Sequence, residues 1–309
     1  MRAAIDNVCR PSAELLRHAP SRSQPSVLDN EPPVRSDEVY DFCVIIPCYN
    51  NREGLIRSLL SICYDPVKYF LVIIDDGSKE PLTSPDLAYE LSHELSPLPG
   101  LHIIRLEKNS GITRALNAGL EYLAGRDDYR YIARLDCGDL CDPHRFQHQV
   151  AFLDQHPDID LVGSWCIFKD FLTGEAFKYT IPTRHKEIMR DMHFKNVFIH
   201  PTVMWRAGMT AKVPFYPETF PHAEDYGFFY ELLQHGRSAI LPYYLVICEI
   251  SRSGLSLTHR RQQMISRIKV VRQYGNNTLY SLLGELRLRL LMLLPAEWAL
   301  KIKKQIRNI

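Results

Sequence analysis

DFCVIIPCYNNREGLIRSLLSICYDPVKYFLVIIDDGS, residues 41–78, decides the fold. Phe42 to Ile46 is a short unbroken apolar run, the pattern of a strand covered on both faces, and Pro47 is expected to end it. Leu55, Ile56, Leu59, Leu60 and Ile62 then recur at helical spacing, and Phe70 to Ile74 forms a second apolar run. Strand, helix and strand in this order make a βαβ unit, whose crossover is right-handed. Each strand ends in residues that carry chemistry: Pro47-Cys48-Tyr49-Asn50 after the first, Asp75-Asp76-Gly77-Ser78 after the second. Ligands of open α/β sheets bind outside the carboxyl ends of the strands.

The same alternation continues outward. Leu101 to Leu106 reads as a third strand, Ile112 to Leu123 as a helix, and Tyr131 to Leu135 as a strand ending at Asp136. Asp142-Pro143 is a helix start, with the carboxylate as N-cap and proline in the first turn. Phe146, Val150 and Leu153 line the inner face of that helix. Beyond Pro157, 159–168, 197–205 and 239–250 read as strands, and Glu224 to His235 as a helix closed by Gly236. The fold class is therefore α/β: a nucleotide-binding, Rossmann-like mixed sheet with helices on both faces, plus C-terminal helices. Residues 1–38 read as a flexible leader rich in Ser, Pro and Arg. Residues 39–275 form the main domain, with a nucleotide-binding half (39–140) and an acceptor half (141–275). Residues 276–309 read as basic amphipathic helices, broken at Pro295.

Composition excludes several classes. The 309 residues are 46% hydrophobic and 24% charged, which suffices for a sizeable core. A net charge of +1 gives no reason to expect a nucleic-acid partner. The eight cysteines form no C-x-x-C pair, so buried reduced thiols are expected and a zinc site is not. The amino terminus has no secretory pattern, and no apolar stretch reaches the ~18 residues a spanning helix needs. The expected location is cytoplasmic, with attachment to the inner membrane face through the C-terminal helices. There Leu282, Leu283, Leu286, Leu290, Leu293 and Leu294 supply an apolar stripe, and basic residues far outnumber acidic ones.

Three acidic motifs at strand or helix ends point to group transfer from an activated nucleotide. Asp75-Asp76 can accept hydrogen bonds from a base N–H or ribose hydroxyls, although turns favour Asp and Gly in any case. Tyr49 can stack on a base, with Asn50 capping the next helix as the plainer alternative. Asn109-Ser110-Gly111 precedes a helix bearing Arg114 and Asn117, an amino terminus suited to phosphate or ribose. Asp136 and Asp139 offer oxygen ligands to a hard cation that bridges phosphates. Glu224-Asp225 opens the late helix, where a carboxylate can take a proton from a sugar hydroxyl or simply favour the helix dipole. His200, alone, reads as structural.

Taken together these motifs resemble the family-2 inverting glycosyltransferases of the A-type fold, of the kind that build bacterial polysaccharides and lipopolysaccharides. The match runs from Phe42 to Tyr274: VIIPCYN (44–50), IIDDGS (73–78), NSGITRALNAGL (109–120), YIARLDCGD (131–139), HPTVMWR (200–206) and AEDY (223–226). The resemblance implies a UDP- or GDP-linked sugar donor and a glycan or lipid-linked acceptor. It assigns Tyr49 and Asp76 to the base, and Asp136 to ribose, diphosphate or metal. Asp225 becomes the general base, Mg or Mn the cofactor, and inversion the stereochemical outcome. Pro47, Asn50, Asp75, Asn109, Arg114 and Asn117 complete the expected donor site. One departure stands out: the family's metal motif reads D-x-D, but here the third position is Gly138 and the next carboxylate is Asp139. Asp139, or a bridging water, is expected to substitute. Two rivals remain, a sugar-nucleotide-binding module without catalysis and a nucleotidyltransferase. The second lacks a good Gly-rich, basic loop after its first strand.

Overall fold

The computed structural model describes residues 39–250 and 259–293. The leader, Arg252, Pro295 and the last lysines lie outside the described residues. The first half alternates strictly: β1 (Tyr40–Cys48), α1 (Arg52–Leu60), β2 (Tyr69–Asp75), α2 (Ser84–Ser92), β3 (Gly100–Arg105), α3 (Ile112–Ala124) and β4 (Tyr129–Arg134). The second half adds β5 (Leu140–Cys141), α4 (Arg145–Gln155), β6 (Leu161–Lys169), β7 (Ala176–Tyr179), α5 (His185–Met192), β8 (Met204–Arg206), α6 (Glu224–His235) and β9 (Ser238–Glu249). Helices α7 (Arg260–Tyr274) and α8 (Thr278–Leu293) close the described chain.

One mixed sheet runs in the order β3-β2-β1-β4-β8-β6-β9-β5, with β7 paired to β6. The first four strands in that order are mutually parallel, so their carboxyl ends share one edge. β8 is antiparallel to both β4 and β6, and β5 is antiparallel to β9. The sheet is therefore continuous across the expected division near residue 140.

Both faces of the sheet are covered, which is why its central strands read as unbroken apolar runs. Along β1, Cys43 and Ile45 face the layer holding α3, α5, α6 and α7, while Phe42, Val44 and Ile46 face α1, α2 and α4. Phe42 is fully buried, its ring stacked on Phe146 at 4.5 Å and on Tyr69 at 5.3 Å. Burying such a ring contributes about 1.5–3 kcal/mol.

Four local expectations shift. Pro47 does not end β1; the strand continues to Cys48, and Pro47 lies beyond Arg134, the last β4 residue, which pairs with Ile45. The cap of α1 is Asn51, whose Oδ1 accepts from the Gly54 N–H at 3.1 Å, because Asn50 is held at φ 49°. Asp142 tightens the turn before α4 by accepting from the His144 N–H at 2.9 Å, and the helix itself begins at Arg145. The expected strand 197–205 is mostly a turn: His200–Thr202 is 3-10 helix, and only Met204–Arg206 pairs. Pro201, without an N–H, cannot serve a ladder there.

Candidate functional site

The carboxyl ends of β1, β2 and β4 lie side by side, and their loops are stitched together. The Asn50 N–H donates to Ser78 Oγ at 2.9 Å, and Asn50 Oδ1 accepts from the Lys79 N–H at 2.8 Å. Gly77 is required at φ 72°, since a Cβ there would stand 2.4 Å from the Lys108 carbonyl carbon. Tyr49 projects beyond this stitching and is 46% exposed, available for stacking.

The two aspartates after β2 do different work. Asp75 is buried inside the scaffold. Its Oδ1 accepts from the Ser78 N–H at 2.9 Å, and its Oδ2 from the Leu82 N–H at 3.1 Å and from Arg105 Nη1. Burial opposes its charge, but these donors win and hold the carboxyl below its ordinary range. Asp76 reaches across to the start of α3, accepting from the Ser110 N–H at 2.7 Å and the Gly111 N–H at 3.0 Å. Asp76 thus ties down the loop ahead of α3, while the helix terminus itself carries no side-chain cap. Asn109 Oδ1 also accepts from the Gly111 N–H, at 3.1 Å. Arg114 projects outward and lies 3.7 Å from Glu218. Asn117 makes a two-way bridge with Tyr216: its Oδ1 accepts from the backbone N–H at 2.8 Å, and its Nδ2 donates to the carbonyl at 3.0 Å.

Asp136 sits just past β4, and a fully buried arginine underpins it. Arg134 Nη2 donates to Asp136 Oδ1 at 2.5 Å, Nε donates to His200 Nε2 at 3.2 Å, and Nη1 donates to the Ile45 carbonyl. His200 Nε2 also meets the Tyr216 hydroxyl at 3.0 Å. A ring nitrogen receiving Arg134 is unprotonated, and burial, then the Arg134 charge, pulls His200 down to about 3. His200 is therefore a neutral acceptor in a chain running Asp136, Arg134, His200, Tyr216 and Asn117. This chain joins the two halves of the domain beneath the site.

Gly138 explains the departure from D-x-D. It stands at φ 107°, and a Cβ there would lie 2.5 Å from Glu249 Oε2. The space beside Gly138 is taken by a carboxylate from the end of β9. Asp139 is buried, and its Oδ1 accepts from the Glu249 N–H at 2.7 Å. Burial, then the Asp136 charge, with Glu249 adding to it, raises the Asp139 carboxyl. Asp139 thus anchors the end of β9 and holds Glu249 in place. Among the described residues no cluster of three His, Cys, Asp or Glu side chains could hold a metal alone. The oxygen donors present still suit magnesium or manganese, which commonly take one or two carboxylates with the substrate's phosphates. Asp136 would hold it, and Glu249, whose Oε2 also lies 3.4 Å from Arg57 Nη2, would have to turn from that arginine to join it, with Asp139 behind them.

The acidic pair at the start of α6 faces the same field. Asp225 Oδ2 accepts from Asn196 Nδ2 at 2.9 Å, and Oδ1 accepts from the Tyr226 N–H at 2.7 Å. Burial raises its carboxyl, Arg267 of α7 pulls it back, and the Asp136 charge adds to the rise. Glu224 is nearly buried and is pushed up to about 7 by burial and then by Asp225, with Asp136 contributing. Asp136 and the Glu224-Asp225 pair, far apart in sequence, are therefore electrostatic neighbours. Asp76 lies on the same edge, two strands from β4, about 10 Å at ordinary strand spacing. His259 stacks on His222, two residues before Glu224, at 4.3 Å.

Sequence reasoning missed Glu249, Arg267, Asn196 and Tyr216, and gave Arg134 no role. Only Arg134 left a usable signal, a charged residue inside an apolar strand next to a motif aspartate. The seven described cysteines are free thiols, five of them buried as expected, and Cys48 and Cys137 lie 3.6 Å apart beneath the site.

The chain is similar to proteins of known kind. Residues 43–207 match the sequence profile described as Glycosyl transferase family 2. The chain is 30% identical over 225 residues to the amylovoran biosynthesis glycosyltransferase AmsE of Erwinia amylovora, covering 72% of this chain and 79% of that one. It is 30% identical over 118 residues to the O-antigen biosynthesis glycosyltransferase WbnJ of Escherichia coli, covering 38% and 45%. Among solved structures, S. aureus TarS 1–349 in complex with UDP-GlcNAc superposes with a TM-score of 0.57 at 17% identity, over 78% of this chain and 69% of that one. The mannosyltransferase PcManGT from Pyrobaculum calidifontis, in complex with GDP-Man and Mn2+, also gives 0.57, at 15% identity over 82% and 72%. These two likenesses establish a shared A-type fold.

Proposed function

Because the chain belongs to glycosyltransferase family 2, we propose that it moves a sugar from a UDP- or GDP-linked donor to a growing, lipid-linked glycan, with inversion at the anomeric carbon. The observation that carries this reading is the shared field of Asp136, Glu224 and Asp225 at the strand edge where α/β folds take ligands. The solved neighbours include complexes with UDP-GlcNAc and GDP-Man, and the sequence relatives serve polysaccharide synthesis.

Tyr49 stacks on the base, and Asp136 faces the ribose and diphosphate. Asp225 takes the proton of the attacking acceptor hydroxyl as the new glycosidic bond forms and the bond to the diphosphate breaks. Asn196 and the Tyr226 N–H fix which way its carboxylate points. Asp136 and Glu249 would hold a divalent cation, which would supply charge neutralisation for the departing diphosphate. Arg134 keeps Asp136 in a single orientation, and neutral His200 accepts from that guanidinium without competing for the carboxylate.

A binding module without catalysis was the rival that Gly138 favoured. The Glu249 carboxylate in the space beside Gly138 removes that motive. The test is a panel of nucleotide-sugars assayed for transfer and slow hydrolysis with Mn2+ present. Asp225→Asn is expected to abolish transfer while donor binding by calorimetry persists. Near-normal turnover in that variant would remove Asp225 from the base role, and full turnover in EDTA would remove the cation.

A further inference from the structure

α8 exposes Leu279, Leu282, Leu283, Leu286, Leu290 and Leu293, each 45% or more accessible. Successive helical residues turn by about 100°, which places all six within an arc of about 100°. The opposite side of the helix is the packed one: Gly284 approaches the His193 carbonyl, and Leu288 is buried against Met264 and Ile268 of α7. Arg287 and Arg289 border the stripe, roughly 80° to either side of its centre. Glu285, the single acidic residue of α7 and α8, is paired with Arg272 and Arg289. The two helices carry seven basic residues against that one acid.

We propose that the leucine face of α8, bordered by Arg287 and Arg289, docks on an anionic lipid surface and holds the mouth of the site against the bilayer. A helix with an apolar face between cationic borders can lie in the headgroup plane. Sixteen residues span only about 24 Å, short of the ~30 Å hydrocarbon core, and no described helix is long and apolar enough to cross a membrane. Charge decides the occupant. A second copy placed face to face would set arginine borders against arginine borders, whereas anionic headgroups meet Arg287 and the net-positive cluster of Arg272, Arg289 and Glu285.

The packing also fixes which end of α8 adjoins the site. Gln263 of α7 donates to the His222 carbonyl at 3.0 Å, two residues before Glu224. Arg260 of α7 donates to the Leu291 carbonyl of α8 at 2.5 Å, and Arg272 pairs with Glu285. The helices are thus antiparallel, and the carboxyl end of the stripe, Leu290 and Leu293, adjoins the α7 turn that braces the entrance to Glu224 and Asp225. A docked α8 brings that entrance to the surface from which a lipid-linked acceptor extends. Only this last step rests on the glycosyltransferase reading.

The test is co-sedimentation of the full chain with vesicles of phosphatidylglycerol and phosphatidylcholine, or of phosphatidylcholine alone. Wild-type protein is expected to sediment with the anionic vesicles and at least tenfold less with the neutral ones. The triple variant Leu282→Ser, Leu286→Ser, Leu290→Ser alters only exposed positions. It is expected to keep the wild-type melting temperature and its donor hydrolysis in vesicle-free buffer, and to lose sedimentation at least tenfold. Wild-type protein remaining in the supernatant, or a folded triple variant that sediments normally, overturns the proposal. So does a wild-type dimer in light scattering that the same variant makes monomeric without any vesicle binding. Failure of the transferase reading shows separately, as absent hydrolysis and transfer in both proteins.

Discussion

Glu249 Oε2 occupies the neighbourhood that a side chain on Gly138 would need, 2.5 Å from the position of its absent Cβ. The two residues are 111 apart in sequence, and Asp139 joins them by accepting the Glu249 N–H. The space beside Gly138 is thus filled by a carboxylate from the end of β9, which also lies 3.4 Å from Arg57 Nη2.

This relationship separates motif from geometry. Gly138→Asp restores the D-x-D pattern on paper, but φ 107° is backbone that side chains rarely adopt, at a cost of about 1–3 kcal/mol. The variant is expected to melt lower and to bind Mn2+ with UDP no more tightly than wild type. Glu249→Gln keeps shape and removes charge, and is expected to weaken Mn2+ binding by about tenfold or more in calorimetry. Unchanged Mn2+ affinity in Glu249→Gln would return the metal role to Asp136 and Asp139 alone.

Arg134 is a fully buried cation whose partners are Asp136, His200 and backbone carbonyls. Arg134→Met removes one donor from the Ile45 carbonyl, which keeps the Leu135 N–H, and leaves the partly exposed Asp136 without its cation, so a loss of about 1–3 kcal/mol is expected in urea unfolding. Arg134→Lys retains charge but cannot meet three directions at once, so it should recover part of the stability and little of the turnover. Equal turnover in the lysine variant and wild type would show that charge alone, not orientation, matters at Asp136.

The sequence made the parallel half of the sheet readable because its strands are buried on both faces and separated by amphipathic helices. The 197–205 segment was misread because an apolar run around His200-Pro201 looks the same whether it is strand or buried turn. Asp136, Glu224 and Asp225 stand out in the sequence because acidic residues at element ends are visible locally. Glu249, Arg267 and Tyr216 do not, because each acts through a contact made across the fold, which local pattern does not encode. Asp75 and Asn117 were read as donor contacts because a polar side chain beside a site looks alike whether it faces ligand or scaffold.

Asn117 makes that last distinction measurable. Both polar atoms of its amide bridge the Tyr216 backbone, which also carries the hydroxyl facing His200. Asn117→Ala is expected to cost about 1–3 kcal/mol through the unpaired Tyr216 groups. Donor affinity at a temperature where the variant is fully folded should stay within about twofold, well under 1.4 kcal/mol. A tenfold loss of donor affinity with unchanged stability would place Asn117 on the ligand instead.

In the proposed base role of Asp225, Arg267 would set the pH at which that base works. Burial raises the Asp225 carboxyl above the usual range, and the Arg267 charge is the largest influence pulling it back. A nearby cation favours the ionised form, so Arg267→Gln raises the carboxyl further. The acid limb of kcat/KM against pH, where the free base must be ionised, is therefore expected to move to higher pH. Glu224, itself pushed up to about 7, could imitate such a limb. Repeating the comparison in a Glu224→Gln background removes that group, and the displacement caused by Arg267→Gln should persist. A limb that stays fixed in both backgrounds would mean that Asp225 is not the proton acceptor. One that moves only when Glu224 is present would transfer the role to Glu224.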